Sequence, residues 1–98
     1  MILAQVVGTI VSSRKEASIE GFKLMAVQPL GGDFKPSGAV LVAVDAVGAG
    51  IGETVLIVSG SSARYTEVTS GKPADAAILA IVDLVETAAG RVYSKAGA

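Results

Sequence analysis

Histidine and cysteine supply most of the general bases, nucleophiles and metal ligands that proteins use, and this chain has neither. The hydroxyls of Ser61 and Ser62 could attack a substrate only if a base activated them. With histidine absent, that base would have to be a lysine, Lys72 or Lys23. Capping and turn hydrogen bonds explain the two serines more simply. Carboxylates stand at Asp45, Glu53, Glu67, Asp75 and Asp83, the residue type that binds hard cations or works as an acid–base pair. They are dispersed, with no D-x-D cluster. The string Gly48-Ala-Gly-Ile-Gly52 has the glycine density of a phosphate-cradling loop. Its spacing is G-x-G-x-G instead of G-x-G-x-x-G, and it leads into a β-type run, so the helix N-terminus that would hold a phosphate is missing. These residues read as no catalytic site, no cofactor site and no metal site, and the chain as no enzyme. Asp45 and Asp83 draw interest for another reason. Each lies inside an aliphatic run, where an unpaired charge is costly. Each is expected to accept backbone N–H groups or to meet a basic group, with Arg64 the best-placed partner.

The composition asks where the apolar surface goes. Of the 98 residues 51% are hydrophobic but only 4% aromatic, and the mean hydropathy is +0.62. One domain of this length buries only about 60–65% of its unfolded surface, so its own core cannot absorb so aliphatic a composition. A membrane span needs about 18 consecutive apolar residues. The most apolar stretch, residues 38–52, is shorter and carries Asp45 and three glycines. No basic segment opens the chain, so no signal peptide is expected. Burial against other copies remains. The balance of 8 basic against 9 acidic residues, net −1, leaves no electrostatic footprint for nucleic acid or anionic lipid. The lack of cysteine suits the cytoplasm.

The elements that would position these residues are short strands between turn signals. Residues 2–11, 21–30, 39–47 and 54–59 form four β-type runs. The polar cluster 12–16, the loop 31–38 and the glycine string 48–52 separate them. Pro29 sits at a strand end, where a missing N–H is tolerated. Residues 60–67 suit a short helical turn with Ser61 or Ser62 as cap. Residues 75–89 fit either a helix, capped by Asp75 and ended by Gly90, or a strand buried on both faces. Residues 91–95 read as a last short strand, and residues 96–98 are expected to fray. Five or more strands with glycine-rich turns imply a single-domain small barrel or sandwich.

Read in order, the residues resemble a known family. Val6-Val-Gly-Thr-Ile-Val-Ser-Ser-Arg-Lys15 and Ile19-Glu-Gly-Phe-Lys-Leu24 resemble the first hairpin of the EutN/CcmL family, the vertex proteins of carboxysomes and metabolosomes. Val44-Asp-Ala-Val-Gly-Ala-Gly-Ile-Gly-Glu-Thr-Val-Leu56 resembles its most specific block. Gly60-Ser-Ser-Ala-Arg64 and Pro73-Ala-Asp-Ala-Ala-Ile-Leu-Ala-Ile-Val-Asp83 follow at the family's distances, with Ala74 standing where the family often has a β-branched residue. The resemblance implies an all-β fold with one short helix, a five-stranded OB-like barrel over about residues 1–86 with a short C-terminal strand and tail over 87–98. It makes residues 77–85 a strand and puts the short helix near residues 61–67. It implies a structural shell protein, a homopentamer capping vertices of an icosahedral microcompartment in the cytoplasm, with hexameric shell proteins as partners and neither nucleic acid nor membrane. The Gly60, Ser61, Ser62, Ala63, Arg64 turn, with Asp45, Asp75 and Asp83, is then expected at a subunit interface or the fivefold axis. Arg14, Lys15 and the loop 31–37 are expected at the rim that meets the hexamers. Two rivals remain: an OB module that binds single-stranded nucleic acid, and a small-molecule-binding or catalytic oligomer with a carboxylate-lined pocket.

Overall fold

Strands in which every second residue is a small aliphatic group can wrap around a narrow interior, and the first five strands of this chain do so. The computed structural model describes residues 1–95. Strand β1 (Ile2–Ile10) turns Ala4 and Val6 inward, and β2 (Leu24–Pro29) turns Met25 and Val27 inward. Strand β3 (Leu41–Asp45) contributes Ala43, β4 (Thr54–Ser59) Val55 and Ile57, and β5 (Ala76–Ile81) Ala76 and Ile78. All of these are almost completely buried, and none is aromatic. The strands close in the order β1-β2-β3-β5-β4, with β4 pairing back onto β1. A shift of register between Val6 and Gly8 lets the long β1 bend, so that its first half pairs with β4 while the strand also pairs with β2. Every pairing is antiparallel except β3 with β5, which rests on Val44↔Ala77 and Asp45↔Ile78 alone. The expected all-β, OB-like barrel of five strands is therefore present in one domain.

The expected short helix takes a tighter form. Among the described residues there is no α-helix; the segment after β4 is a 3-10 turn, Gly60–Arg64, and a second such turn spans Ala17–Ile19. Gly60 starts its turn at φ +68°, a conformation that a side chain would strain. Neither serine caps it: Ser59 precedes the turn and makes no side-chain capping bond. Thr69 instead secures it, its hydroxyl donating to the Ala63 carbonyl at 2.7 Å.

The ambiguous segment resolves into strands, with a break that neither reading of it anticipated. Strand β5 ends at Ile81, where Val82 N–H donates to the Thr54 carbonyl and the chain leaves the barrel. Leu84–Thr87 (β6) then pairs with the last strand, Gly90–Ser94 (β7). Asp75 caps no helix; its carbonyl accepts the Gly60 N–H at 2.8 Å. No residue of the β6–β7 hairpin is fully buried. Tyr93 stacks on Phe34 with ring centroids 5.1 Å apart, and Lys95 pairs with Glu53 at 2.7 Å. Phe34 adopts φ +63° in the loop that leads to β3, the one non-glycine residue there with a left-handed backbone among the described residues. The expected fraying of residues 96–98 lies outside the described residues.

Candidate functional site

A buried carboxylate is a group whose environment can signal chemistry. The Asp45 side chain is wholly buried at the end of β3. Its Oδ1 accepts the N–H groups of Val47 and Gly48, each at 3.0 Å, and Gly48 completes that turn at φ +79°. Its Oδ2 accepts no hydrogen bond and faces Lys23 Nζ at 3.2 Å as an ion pair. Lys23 also donates to the Ala49 carbonyl at 3.1 Å. Burial pushes the Asp45 carboxyl up, but the backbone N–H donors and the Lys23 ammonium outweigh it, leaving the carboxyl below its ordinary value. A carboxylate held by two backbone N–H groups and an ion pair fixes a turn. The glycine string 48–52 is thus the β3–β4 connection, tied to β2 by Lys23.

This arrangement corrects the expected pairing. Lys23, not Arg64, is the partner of Asp45. Arg64 Nε donates instead to the Ala74 carbonyl at 3.3 Å. Asp83 is exposed at the base of the hairpin, so its charge needs no buried partner. Glu53 is held below its ordinary value by Lys95 and by the Gly50 N–H, and Lys95 is raised in turn by Glu53. Among the described residues no group of three or more carboxylates converges as a metal site would require. Ser61 and Ser62 are exposed on the 3-10 turn, and Lys23 is occupied by Asp45.

Part of the apolar surplus lines two grooves outside the barrel, while Ile2, Val7, Ile10, Val11, Val40, Ile51, Leu84 and Val92 are exposed elsewhere. The first, about 200 Å³, runs over the outer faces of β2 and β3 and is lined by Phe22, Leu24, Val42, Val44 and Pro73. It continues through Val42, Asp75 and Ala76 into a hollow of about 420 Å³ that reaches Gly60. The second, about 270 Å³, lies beyond the end of β3 between Ala46, Val47, Leu79 and the segment Tyr65, Glu67, Val68. The two grooves share no residue. Tyr65 is 86% exposed and Val11 92%. Val11 stands apart from both grooves, whereas Tyr65 borders Val47 and Val68, and a contiguous exposed apolar patch is the mark of a surface that another protein covers.

Of the expected interface residues, Gly60 and Asp75 meet in the hollow, and Ala63 is buried beneath Thr69. Arg64 lies apart, beside Lys72 and Pro73. Arg14 and Lys15 are exposed on the β1–β2 connection, where Lys15 Nζ donates to the Ser12 carbonyl at 3.1 Å. Sequence reasoning missed Phe22, Val42, Val47, Tyr65 and Val68. The signal was available in β3 and its flanks, where residues 39–44 are apolar at every position. A strand with only one buried face alternates, so an unbroken apolar run marks a second face to be covered.

Comparison with known proteins places these faces in context. Residues 1–83 match the family model described as ethanolamine utilisation protein EutN/carboxysome. The carboxysome shell vertex protein CcmL of a Synechocystis species is 42% identical over 95 residues, covering 97% of this chain and 95% of that protein. The solved CcmL of Gloeobacter violaceus superposes with a TM-score of 0.92 at 38% identity, covering 98% of this chain and 99% of that one. The GrpN pentameric microcompartment shell protein of Rhodospirillum rubrum superposes at 0.80 with 47% identity, covering 89% and 99%.

Proposed function

The chain belongs to the EutN/CcmL family, and from that premise we propose that it forms homopentamers capping the vertices of an icosahedral microcompartment shell. The observation that carries this reading is the match along nearly the whole chain to shell vertex proteins, one of them solved as a pentamer. The role is geometric and not catalytic. Flat hexagonal units tile a facet but cannot close a shell, and a fivefold unit at each corner supplies the missing curvature. The partners are further copies of this chain and, around the rim, hexameric shell proteins. The location is the shell, in the cytoplasm.

A ring of five needs a heterologous contact, in which one patch of each subunit meets a different patch of the next. Two separate apolar grooves on one small barrel meet that requirement. The Gly60–Arg64 turn belongs at this contact or at the fivefold axis, because its small exposed serines let copies approach closely. Asp75 and Asp83 are exposed and open to such a contact, whereas Asp45 acts indirectly by fixing the β3–β4 turn. Arg14 and Lys15, exposed on a long connection, suit the rim that meets the hexamers. Three of the four aromatics are half-buried and engaged within the chain, Phe34 and Tyr93 stacked on each other and Phe22 under Lys72, and the single exposed ring of Tyr65 makes no stacking platform for successive bases. Native mass measurement of the full chain tests the reading. It predicts a species of five times the 9.7 kDa chain mass. A monomer or dimer over the whole micromolar range overturns it.

A further inference from the structure

Two cations share one hollow that no carboxylate lines. The hollow, about 460 Å³, is bounded by Arg64, Gly71, Lys72 and Pro73. Gly71 and Pro73 bring no charge, and Glu67 and Asp75, the nearest carboxylates along the chain, line other hollows. Among the described residues neither Arg64 nor Lys72 has an ion-pair partner. In a chain of net charge −1 this is a local concentration of positive charge and not a general one.

Both cations are also held in place. Thr69, fully buried, links the segments that carry them. Its hydroxyl donates to the carbonyl of Ala63, the residue before Arg64, at 2.7 Å, and its carbonyl accepts the Lys72 N–H at 2.9 Å. Arg64 Nε donates to the Ala74 carbonyl at 3.3 Å, which orients the guanidinium. A guanidinium anchored at Nε can still offer both terminal nitrogens to an oxyanion. The Lys72 ammonium rests 5.4 Å from the Phe22 ring centre. Like charges on one surface repel, and a fold that fixes both there has already met the ordering cost of binding an anion between them.

We propose that this hollow binds a doubly charged oxyanion of the phosphate type, with the Arg64 guanidinium as bidentate donor and the Lys72 ammonium as the second charge. Two cations match a dianion, whereas a lone carboxylate would leave one of them unneutralised. The planar fork of arginine fits phosphate oxygens in pairs, and lysine adds a point charge. The site is complete within one chain, so it goes beyond the shell role and does not rest on the pentamer reading. Inorganic phosphate and a phosphate ester share this chemistry, and the open hollow has room for either.

The test titrates the full chain, as it assembles, with inorganic phosphate, glycerol 3-phosphate and acetate at low ionic strength, reading amide shifts by nuclear magnetic resonance. Gly71 and Lys72 should shift saturably with the phosphates, with acetate binding about tenfold more weakly or not at all. The amides of Lys15 and Lys35, exposed lysines elsewhere, should not follow. Arg64→Gln and Lys72→Gln should each weaken phosphate binding about tenfold, the worth of one hydrogen bond to a charged group. Lys72→Arg, which keeps the charge, should retain binding. Thermal unfolding checks the barrel, and Lys72→Gln leaves the Arg64–Ala74 bond in place should Arg64→Gln disturb the segment. Tighter binding of glycerol 3-phosphate identifies the occupant as an ester, tighter binding of inorganic phosphate identifies the free ion, and either supports the site. No saturable shift, acetate binding as tightly, or shifts spread equally over Lys15 and Lys35 overturns it.

Discussion

Replacing Asp45 removes the one buried charged side chain among the described residues. In Asp45→Asn the Oδ1 position can still accept the Val47 and Gly48 N–H groups, now both at 3.0 Å, but the ion pair to Lys23 at 3.2 Å is lost and an amide NH₂ faces the ammonium. A hydrogen bond to a charged group is worth about 1.5–3 kcal/mol, and breaking a fully buried pair costs more. The Lys23 side chain is 54% exposed, so water screens its half of the pair and the lower end applies. The expected loss is about 1–2 kcal/mol for Asn. It is about 3 kcal/mol for Asp45→Ala, which also strands two N–H groups. The pH dependence follows from the depressed carboxyl. A group whose folded value lies below its unfolded value stabilises the fold at pH above the ordinary carboxylate range, and that contribution is lost as pH falls through the folded value. The gap between the unaltered chain and Asp45→Asn should therefore be constant near neutrality and shrink in acid. Urea unfolding at one fixed chain concentration measures it, since assembly adds stability by mass action. Equal stability at neutral pH, or a gap that does not shrink in acid, refutes the reasoning.

Ile57→Ala removes a fully buried side chain from the barrel centre and should cost about 2–5 kcal/mol in the same unfolding assay. Tyr93→Ala removes the stack on Phe34, so amides of β6 and β7 should exchange with solvent faster while those of β1–β5 keep their protection; mass-resolved hydrogen exchange reads both. Ser62→Trp puts a bulky ring on the exposed 3-10 turn and should reduce the pentamer fraction in native mass spectra without lowering the melting temperature of the barrel, as a turn near the ring contact requires.

The first four strands were legible because glycines and polar clusters punctuate them and their inward residues alternate, as in Met25 and Val27 or Val55 and Ile57. The segment after Asp75 was not, because residues 76–82 are aliphatic at every position and fit either period. What settles it is non-local: β4 pairs along one edge of β5, and β3 pairs with Val44↔Ala77 on the other. The Asp45 partner failed for the same reason. Lys23 precedes Leu24, which lies opposite Val44, so the two charges become neighbours only once the β2–β3 register is known. The family resemblance supplied the barrel but not its faces. Phe22 and Tyr65 lie outside the strands, and only the folded chain shows each bordering a groove.

The proposed place of this chain is the shell corner. Shells assembled from hexameric shell proteins with and without the chain, imaged by electron cryomicroscopy, measure it directly. Closed icosahedral particles are expected when the chain is present, with its fivefold density at the vertices, and open or extended assemblies when it is left out. Particles that close equally well without it, or density spread over the facets, would rule out a vertex role.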